Sequence, residues 1–423
     1  MRDSEKKTRI ALRGFFLALQ SIFWIVILGF EFLIWNPGLR AAAIGESAAA
    51  EMVASFFNDL LWLPAALVLP WYVAQLSARI AGPRWLKKAC ILAGAALFAL
   101  CLLSLPDTFR HLYALFIPFF ALVLYSLIRR LRLDVPHLFY LLVLIAMVIN
   151  YGSQLLPHTD TWRPRSSDHI KLLTYNIRLD ESDENKKEAI QAIATELPDI
   201  VFIQEMNKSS RQQLARLNDL YPHQIWSDRR TFYSGGVILS RIPFERAENI
   251  PITTRHMDAA TNLNHAAIRL DDRNIKLYNC HLFHGAHELL LFARGRSESL
   301  EVSAKAYRRH RDEAEMIARR LFTVDEPVIL AGDLNDTPNS PVYRLLISRL
   351  QNSYEVAGWG LGTTYGIRTL RHYAPAPLEF LAFDFLRIDH IFCSLDFEVL
   401  SARVLALESS DHRPLLVTLR LAD

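Results

Sequence analysis

Five apolar stretches crowd the first 157 residues, at about 10–35, 60–76, 89–105, 112–128 and 136–156. A helix that crosses a bilayer core needs roughly 17–25 predominantly apolar residues, and each stretch reaches that range or its lower edge. Glu31 is the main charge inside them. It sits near a span end beside Trp35, where aromatic rings favour the membrane–water interface. Buried soluble helices are the competing reading for one or two of them, and so many apolar runs in succession, with no amphipathic alternation, argue against it. Residues 1–157 therefore read as an all-α transmembrane domain of about five helices. Residues 158–168, with Pro164 and several polar side chains, read as a linker.

The flanking charges predict an orientation. Lys6, Lys7, Arg9 and Arg13 precede the first span. Arg79, Arg84, Lys87 and Lys88 lie between the second and third, and Arg129, Arg130 and Arg132 between the fourth and fifth. The alternate connections hold only Arg40 and Arg110. Positive loops stay in the cytoplasm, so the N-terminus is expected there. Everything after Leu156 is then expected on the extracytoplasmic (periplasmic or extracellular) face of the plasma membrane. A signal peptide is the competing reading of the first span, because Ala41, Ala42 and Ala43 follow it. Its apolar core exceeds the roughly 7–15 residues of such a segment. Cleavage there would also leave the side of the second half unchanged.

Composition divides at the same boundary. Residues 1–157 carry 14 Lys and Arg against 8 Asp and Glu, while residues 158–423 carry 33 against 36, a net of −3. The second half thus lacks the basic footprint of a strong nonspecific nucleic-acid binder. The four cysteines form no metal-binding pattern. Cys90 and Cys101 fall in an apolar run. For Cys280 and Cys393 a disulfide is one reading, and two buried free thiols are preferred.

From residue 170 the pattern changes to short β-branched or aromatic runs alternating with helical segments. Strands are expected at 170–177, 199–204, 235–240, 266–270, 275–282, 327–330, 388–393 and 414–419, and helices at 186–196, 209–217 and 307–321. Strands outnumber helices and hairpin-like neighbours recur. An α/β sandwich with mixed sheets is favoured over a purely parallel doubly wound sheet.

Polar residues able to do chemistry recur at the C-terminal ends of these strands. They are Asn176, Glu205, His281, Asp333 with Asn335, Asp389, and Asp411 with His412. Singly, each has a bland explanation: a strand-end Asn closes a turn, an Asp after Gly caps a helix, a lone His packs. Together they place several acids on one rim, where they repel unless a cation or a proton offsets them. Oxygen donors without a Cys/His cluster point to Mg²⁺ or Mn²⁺ rather than Zn²⁺.

These residues fall in seven ordered motifs: TYN at 174–176, IQE at 203–205, GGVILSR at 235–241, NCHL at 279–282, GDLN at 332–335, RIDHIF at 387–392 and SDHRP at 410–414. Over residues 169–423 the chain resembles the endonuclease/exonuclease/phosphatase (DNase I-like) superfamily. The resemblance implies a two-sheet β-sandwich flanked by helices and a divalent-metal-dependent hydrolase of phosphate esters. It implies Glu205 as a direct metal ligand, with Asn176 and Asp411 close to the metal or its waters. His412 and Asp389 would form a dyad, the carboxylate orienting the imidazole. Either His412 or Asp333 would take the proton of the attacking water. Asn335 would orient the phosphate, and His281 would donate to a phosphate oxygen or the leaving group. Cys280 is expected on the opposite face of its strand from His281.

The substrate stays open at this stage. Residues 284–311 include Arg294, Arg296, Arg308, Arg309 and Arg311, either a grip on phosphate or a solvated helix face; Arg308 and Arg311 are the substrate-binding candidates. Leu289, Leu290, Leu291, Phe292 and the run at 378–386 are either a lip touching the bilayer or ordinary core. Three functions are weighed. The first is a membrane-tethered phosphoesterase, favoured as a phosphodiesterase, acting on extracytoplasmic nucleic acid or organophosphate. The second is a lipid head-group hydrolase of sphingomyelinase or phospholipase C type. The third is a catalytically silent membrane-tethered binding protein. Expected partners are the phosphate-ester substrate and the lipid bilayer, with no obligate protein partner.

Overall fold

The computed structural model describes residues 169–178, 182–227, 235–253, 261–270, 272–283, 299–338, 340–360, 362–366 and 384–422. The five apolar stretches, the linker at 158–168 and residues 289–296 lie outside the described residues. Among the described residues no helix is long and apolar enough to cross a membrane.

Two six-stranded mixed sheets form the framework. In chain order the elements of the first half are β1 (Ile170–Asn176), α1 (Asp183–Glu196), β2 (Ile200–Gln204), α2 (Lys208–Leu214), β3 (His223–Trp226), β4 (Val237–Ser240), β5 (Phe244–Ile252), β6 (Thr261–Leu270) and β7 (Arg273–His281). Then come α3 (Ser299–Leu321), β8 (Val328–Asp333), α4 (Pro341–Ile347), β9 (Gln351–Asn352), α5 (Ser353–Ala357), β10 (Tyr365–Gly366), β11 (Asp384–Leu386), β12 (Asp389–Cys393), β13 (Phe397–Val404) and β14 (Leu415–Leu421). One sheet runs β13-β14-β1-β2-β4-β3 and the other β5-β6-β7-β8-β12-β9, with β10 and β11 as a separate pair. β1–β2 and β7–β8 are parallel and their outer neighbours antiparallel.

Period-two alternation sorts side chains into three apolar layers. Leu172, Ile200, Phe202 and Ile238 of one sheet meet Ile275, Leu277, Ile329, Ala331 and Ile391 of the other, forming the core between the sheets. Behind the first sheet, Leu173, Tyr175, Val201 and Ile203 pack under Ala189, Ile190 and Ile193 of α1. Behind the second, Tyr278, Cys280, Val328 and Leu330 pack under Ala314, Ile317 and Leu321 of α3 and under Val342 and Leu346 of α4. The helices start cleanly: Ser182, Asn207 and Ser340 cap α1, α2 and α4 by accepting from backbone N–H groups one turn on.

The sandwich expected from the sequence is present, with differences at the edges. The helix read at 307–321 begins at Ser299, and the strand read at 266–270 begins at Thr261. β3, β5, β13 and the short pairs were not legible, because edge strands carry polar residues on one or both faces and show no apolar alternation. Cys280 and Cys393 are both buried free thiols. A disulfide is ruled out by facing: Cys280 packs under α3 while Cys393 lies in the core between the sheets.

Candidate active site

The same alternation that builds the core delivers the polar residues to one rim. Along β1, Ile170 and Leu172 face the other sheet, and the next inward positions are Thr174 and Asn176. β7 continues Ile275, Leu277, Asn279 into His281, and β8 continues Ile329, Ala331 into Asp333. In β12 the inward positions run back from Cys393 and Ile391 to Asp389. The strand register sets His281 beside Asp333, and Asp333 beside Asp389. Four strand ends thus converge on one rim.

Glu205 is different. After the inward Gln204 a regular strand would turn the next side chain outward, but Glu205 has φ 54° and Asn335 φ 51°. Left-handed backbone costs a non-glycine residue about 1–2 kcal/mol, and such residues persist where the surrounding pairing over-determines them. Here the kink re-aims Glu205 into the rim.

The resulting geometry is tight. The Asn176 amide donates to Glu205 Oε1 at 3.1 Å and to Asp333 Oδ2 at 2.9 Å. His281 Nε2 lies 3.6 Å from Glu205 Oε1 and 3.5 Å from Asp333 Oδ2. His412 Nδ1 is 2.9 Å from Asp389 Oδ2, and its Nε2 is 3.7 Å from Asp333 Oδ2. Asp333 Oδ1 accepts from the backbone N–H of Asn335, whose amide donates to the carbonyl of Leu282 at 3.0 Å. Asp411 pairs at 3.7 Å with Arg178, a residue the sequence reading passed over.

Electrostatics follow from this crowding. Burial pushes Asp333 up, and Asp389 adds to it; His412, His281 and Asn176 oppose, leaving it at about 6. Burial alone would lower His412, but Asp389, Asp333 and Asp411 outweigh it and lift the imidazole to about 10. His412 and Asp333 therefore stabilise each other as opposite charges across 3.7 Å. Two overlapping donor sets stand here among the described residues: Glu205, His281 and Asp333, and Asp333, Asp389 and His412. The first, with its carboxylate oxygens converging beside the Asn176 amide, suits a hard divalent ion.

Two clusters escaped the sequence reading. Thr364 Oγ1 accepts from the N–H groups of Ile388 and Asp389, and its carbonyl accepts from Arg413 N–H at 2.7 Å. It therefore ties the Asp389 strand to the His412 segment. Tyr365, next to it, forms a β-bridge with His412, and the two rings lie 4.8 Å apart. A two-residue strand leaves no periodic signal, so only its pairing reveals it. Arg308 and Arg311 fall on α3. Arg311 pairs with Glu315 one turn on. Of their neighbours, Arg309 stacks on Phe283 at 3.9 Å and pairs with buried Glu313, while His310 bridges Phe283 O and Asp336.

Residues 173–412, more than half of the chain, match the Endonuclease/Exonuclease/phosphatase family. The chain belongs to that family. Its reaction class follows: this endonuclease/exonuclease/phosphatase protein is a hydrolase of phosphate ester bonds, in a family whose members depend on divalent metals. No curated protein matches the sequence. Among solved structures, an endonuclease/exonuclease/phosphatase from Bacteroides vulgatus shares 19% identity, covering 60% of this chain and 99% of its own, at TM-score 0.46. Truncated TDP2 of Caenorhabditis elegans shares 16% over 60% of this chain and 98% of its own, at 0.44. A mannosyl-6-phosphatase of Bacteroides thetaiotaomicron shares 17% over 59% and 99%, at 0.44.

Proposed function

We propose that this chain is a membrane-anchored, divalent-metal-dependent phosphodiesterase acting on extracytoplasmic nucleic acid or organophosphate. One observation carries the catalytic part: His412, held at Nδ1 by Asp389, turns Nε2 toward Asp333 beside the Glu205–Asn176–His281 cluster. With Nδ1 engaged, Nε2 is the nitrogen left to exchange a proton with a water. Asp333 is the neighbouring acceptor, so the His412–Asp333 axis is where the attacking water loses its proton. Glu205 would hold a Mg²⁺ or Mn²⁺ ion, with Asn176 and Asp411 close to it or to its waters. Bound there, the ion supplies Lewis acidity to a phosphate oxygen and steadies charge on the leaving oxygen. His281 donates to a phosphate oxygen or to the leaving group, and Asn335 orients the phosphate. No covalent intermediate is required.

The assay uses full-length protein in detergent with Mg²⁺, Mn²⁺ or chelator. Substrates are DNA, sphingomyelin, phosphatidylinositol phosphates and an artificial phosphodiester. Turnover should require the ion. Glu205→Gln, which removes a ligand charge, should raise the metal concentration needed by about tenfold or more. Undiminished turnover with chelator present would sink the metal-dependent reading.

The membrane placement rests on the five apolar stretches and the alternation of basic loops. A C-terminal alkaline phosphatase fusion should be active in a bacterial host. An inactive, stably expressed fusion overturns the exported orientation. The same tether favours a second reading, a lipid head-group hydrolase, since a bilayer-anchored site meets lipid at high local concentration. Preferential turnover of sphingomyelin or phosphoinositide over DNA would select it.

A further inference from the structure

We propose that Arg178 is a substrate-binding residue, its guanidinium fork donating to charged oxygens of the phosphate that enters the rim. The proposal deepens the phosphoesterase reading above and rests on it for the identity of the ligand. Three observations carry it. The first is how the backbone places the side chain. β1 ends at Asn176, and Arg178 follows two residues on with φ 53°. Its N–H donates to Asn176 Oδ1 at 3.0 Å, which turns the Asn176 amide nitrogen toward Glu205 and Asp333. Five non-glycine residues among those described have left-handed backbone. Leu197 closes α1 and Asp272 lies in the β6–β7 turn, whereas Arg178, Glu205 and Asn335 each follow a strand that ends at this rim. Such strain persists where the surroundings over-determine it, and it gathers at functional sites. The turn at Arg178 belongs to the same construction that re-aims Glu205.

The second is what the side chain meets. The Ser410 hydroxyl donates to the Asn176 carbonyl at 2.8 Å, which stitches the segment carrying Asp411 and His412 to the end of β1. Arg178 Nη1 then stands 3.7 Å from Asp411 Oδ2, a pair of charges longer than a hydrogen bond. Asp411 thereby keeps the guanidinium at the rim while the Arg178 side chain stays 34% exposed. A guanidinium presents five N–H donors in a planar fork that matches phosphate oxygens, so one carboxylate neighbour does not exhaust it. The third is charge. Glu205, Asp333, Asp389 and Asp411 crowd one rim. One divalent ion offsets half of four negative charges, and an incoming phosphate brings more of the same sign. Among the described residues, Arg178 is the Lys or Arg that pairs with one of these four acids. It therefore supplies the positive charge that an anionic substrate needs there.

Full-length wild type would be compared with Arg178→Ala, Arg178→Lys, Asp411→Asn and the Arg178→Ala, Asp411→Asn double variant, with Mg²⁺ present. Isothermal titration calorimetry reads the affinity for inorganic phosphate, and steady-state kinetics read hydrolysis of bis(4-nitrophenyl) phosphate. A hydrogen bond to a charged group corresponds to roughly a 10- to 100-fold effect. Arg178→Ala should therefore bind phosphate about tenfold more weakly and lose about tenfold or more in kcat/KM. Its thermal midpoint should stay that of wild type, because a partly exposed ion pair adds little stability. Arg178→Lys keeps a cation beside Asp411 without the fork, and its affinity should fall between the two. A role confined to neutralising Asp411 would make the Ala substitution silent in the Asp411→Asn background, whereas direct contact preserves the loss. An Arg178→Ala variant within twofold of wild type in phosphate affinity overturns the proposal, and so does a loss that vanishes in that background. If circular dichroism shows the Ala variant unfolded, the Lys variant decides, and wild-type affinity there overturns the forked contact. Absence of phosphate binding by wild type overturns it too. Wild-type protein that binds phosphate but hydrolyses nothing overturns the phosphoesterase reading, and the calorimetry then still decides on Arg178.

Discussion

Replacing Asp389 with asparagine should lower kcat by about 10³-fold or more while leaving the fold in place. The two side chains have the same shape, and the backbone N–H of residue 389 keeps its bond to Thr364. What changes is the partner of His412. Asp389 Oδ2 meets Nδ1 at 2.9 Å, and its Oδ1 has no hydrogen-bond partner among the described residues, so the carboxylate's charge is answered chiefly through the imidazole. An amide at this position can present N–H to Nδ1, which then leaves the proton on Nε2, the wrong tautomer for accepting one from water. Circular dichroism should be unchanged, and a kcat within threefold of wild type would discard the dyad.

The same substitution has a signature in stability against pH. His412 is raised in the folded protein to about 10 from an ordinary 6.5, so folding favours its protonated form. That contribution is fully present below about 6.5 and is lost as pH rises through about 10. Chelator-treated wild type should therefore lose stability across this window. Asp389→Asn removes the largest of the charges that lift His412, and the slope should flatten. A denaturant midpoint measured at several pH values reads the difference directly.

Gly332→Ala is expected to destabilise the catalytic half by about 3 kcal/mol or more, a fall in thermal midpoint on the order of 10 °C. Gly332 has φ +144°, and a Cβ there would stand 1.9 Å from the carbonyl oxygen of Cys280. That oxygen belongs to the backbone of β7, so the clash cannot be relieved by a rotamer change. The parallel strands β7 and β8 would have to separate, one residue before His281 and Asp333 face each other. Activity should fall with stability. Scanning calorimetry or circular dichroism melts read the first, and a wild-type melting temperature would refute the close-approach argument.

These two positions illustrate how differently residues speak in a sequence. Gly332 and Asp389 both sit in short motifs that a reader finds at once, and their ordering along the chain suffices to name the family. The strand ends Asn176, His281 and Asp333 were legible for a simple reason. Period-two alternation carries an apolar inward face straight to the rim, so the last inward residue is a polar one at the edge of the core. Arg308 and Arg311 are harder to read, because a run of basic residues looks the same whether it grips a ligand or coats a helix. Arg311 is paired within its own helix. Tyr365 and Thr364 were silent because two residues cannot display a period.

By itself, the sequence determined the reaction class, the sandwich of mixed sheets and the identity of the acids and imidazoles at the strand ends. It did so because motif order and alternation are one-dimensional properties, preserved however the chain later packs. The tertiary structure alone decided which groups touch. The left-handed turn at Glu205, the approach of His412 Nε2 to Asp333, and the Tyr365 ring over that imidazole all depend on register between strands remote in sequence. Such contacts are set by sheet pairing and by backbone conformation at single residues, and neither leaves a mark in local composition.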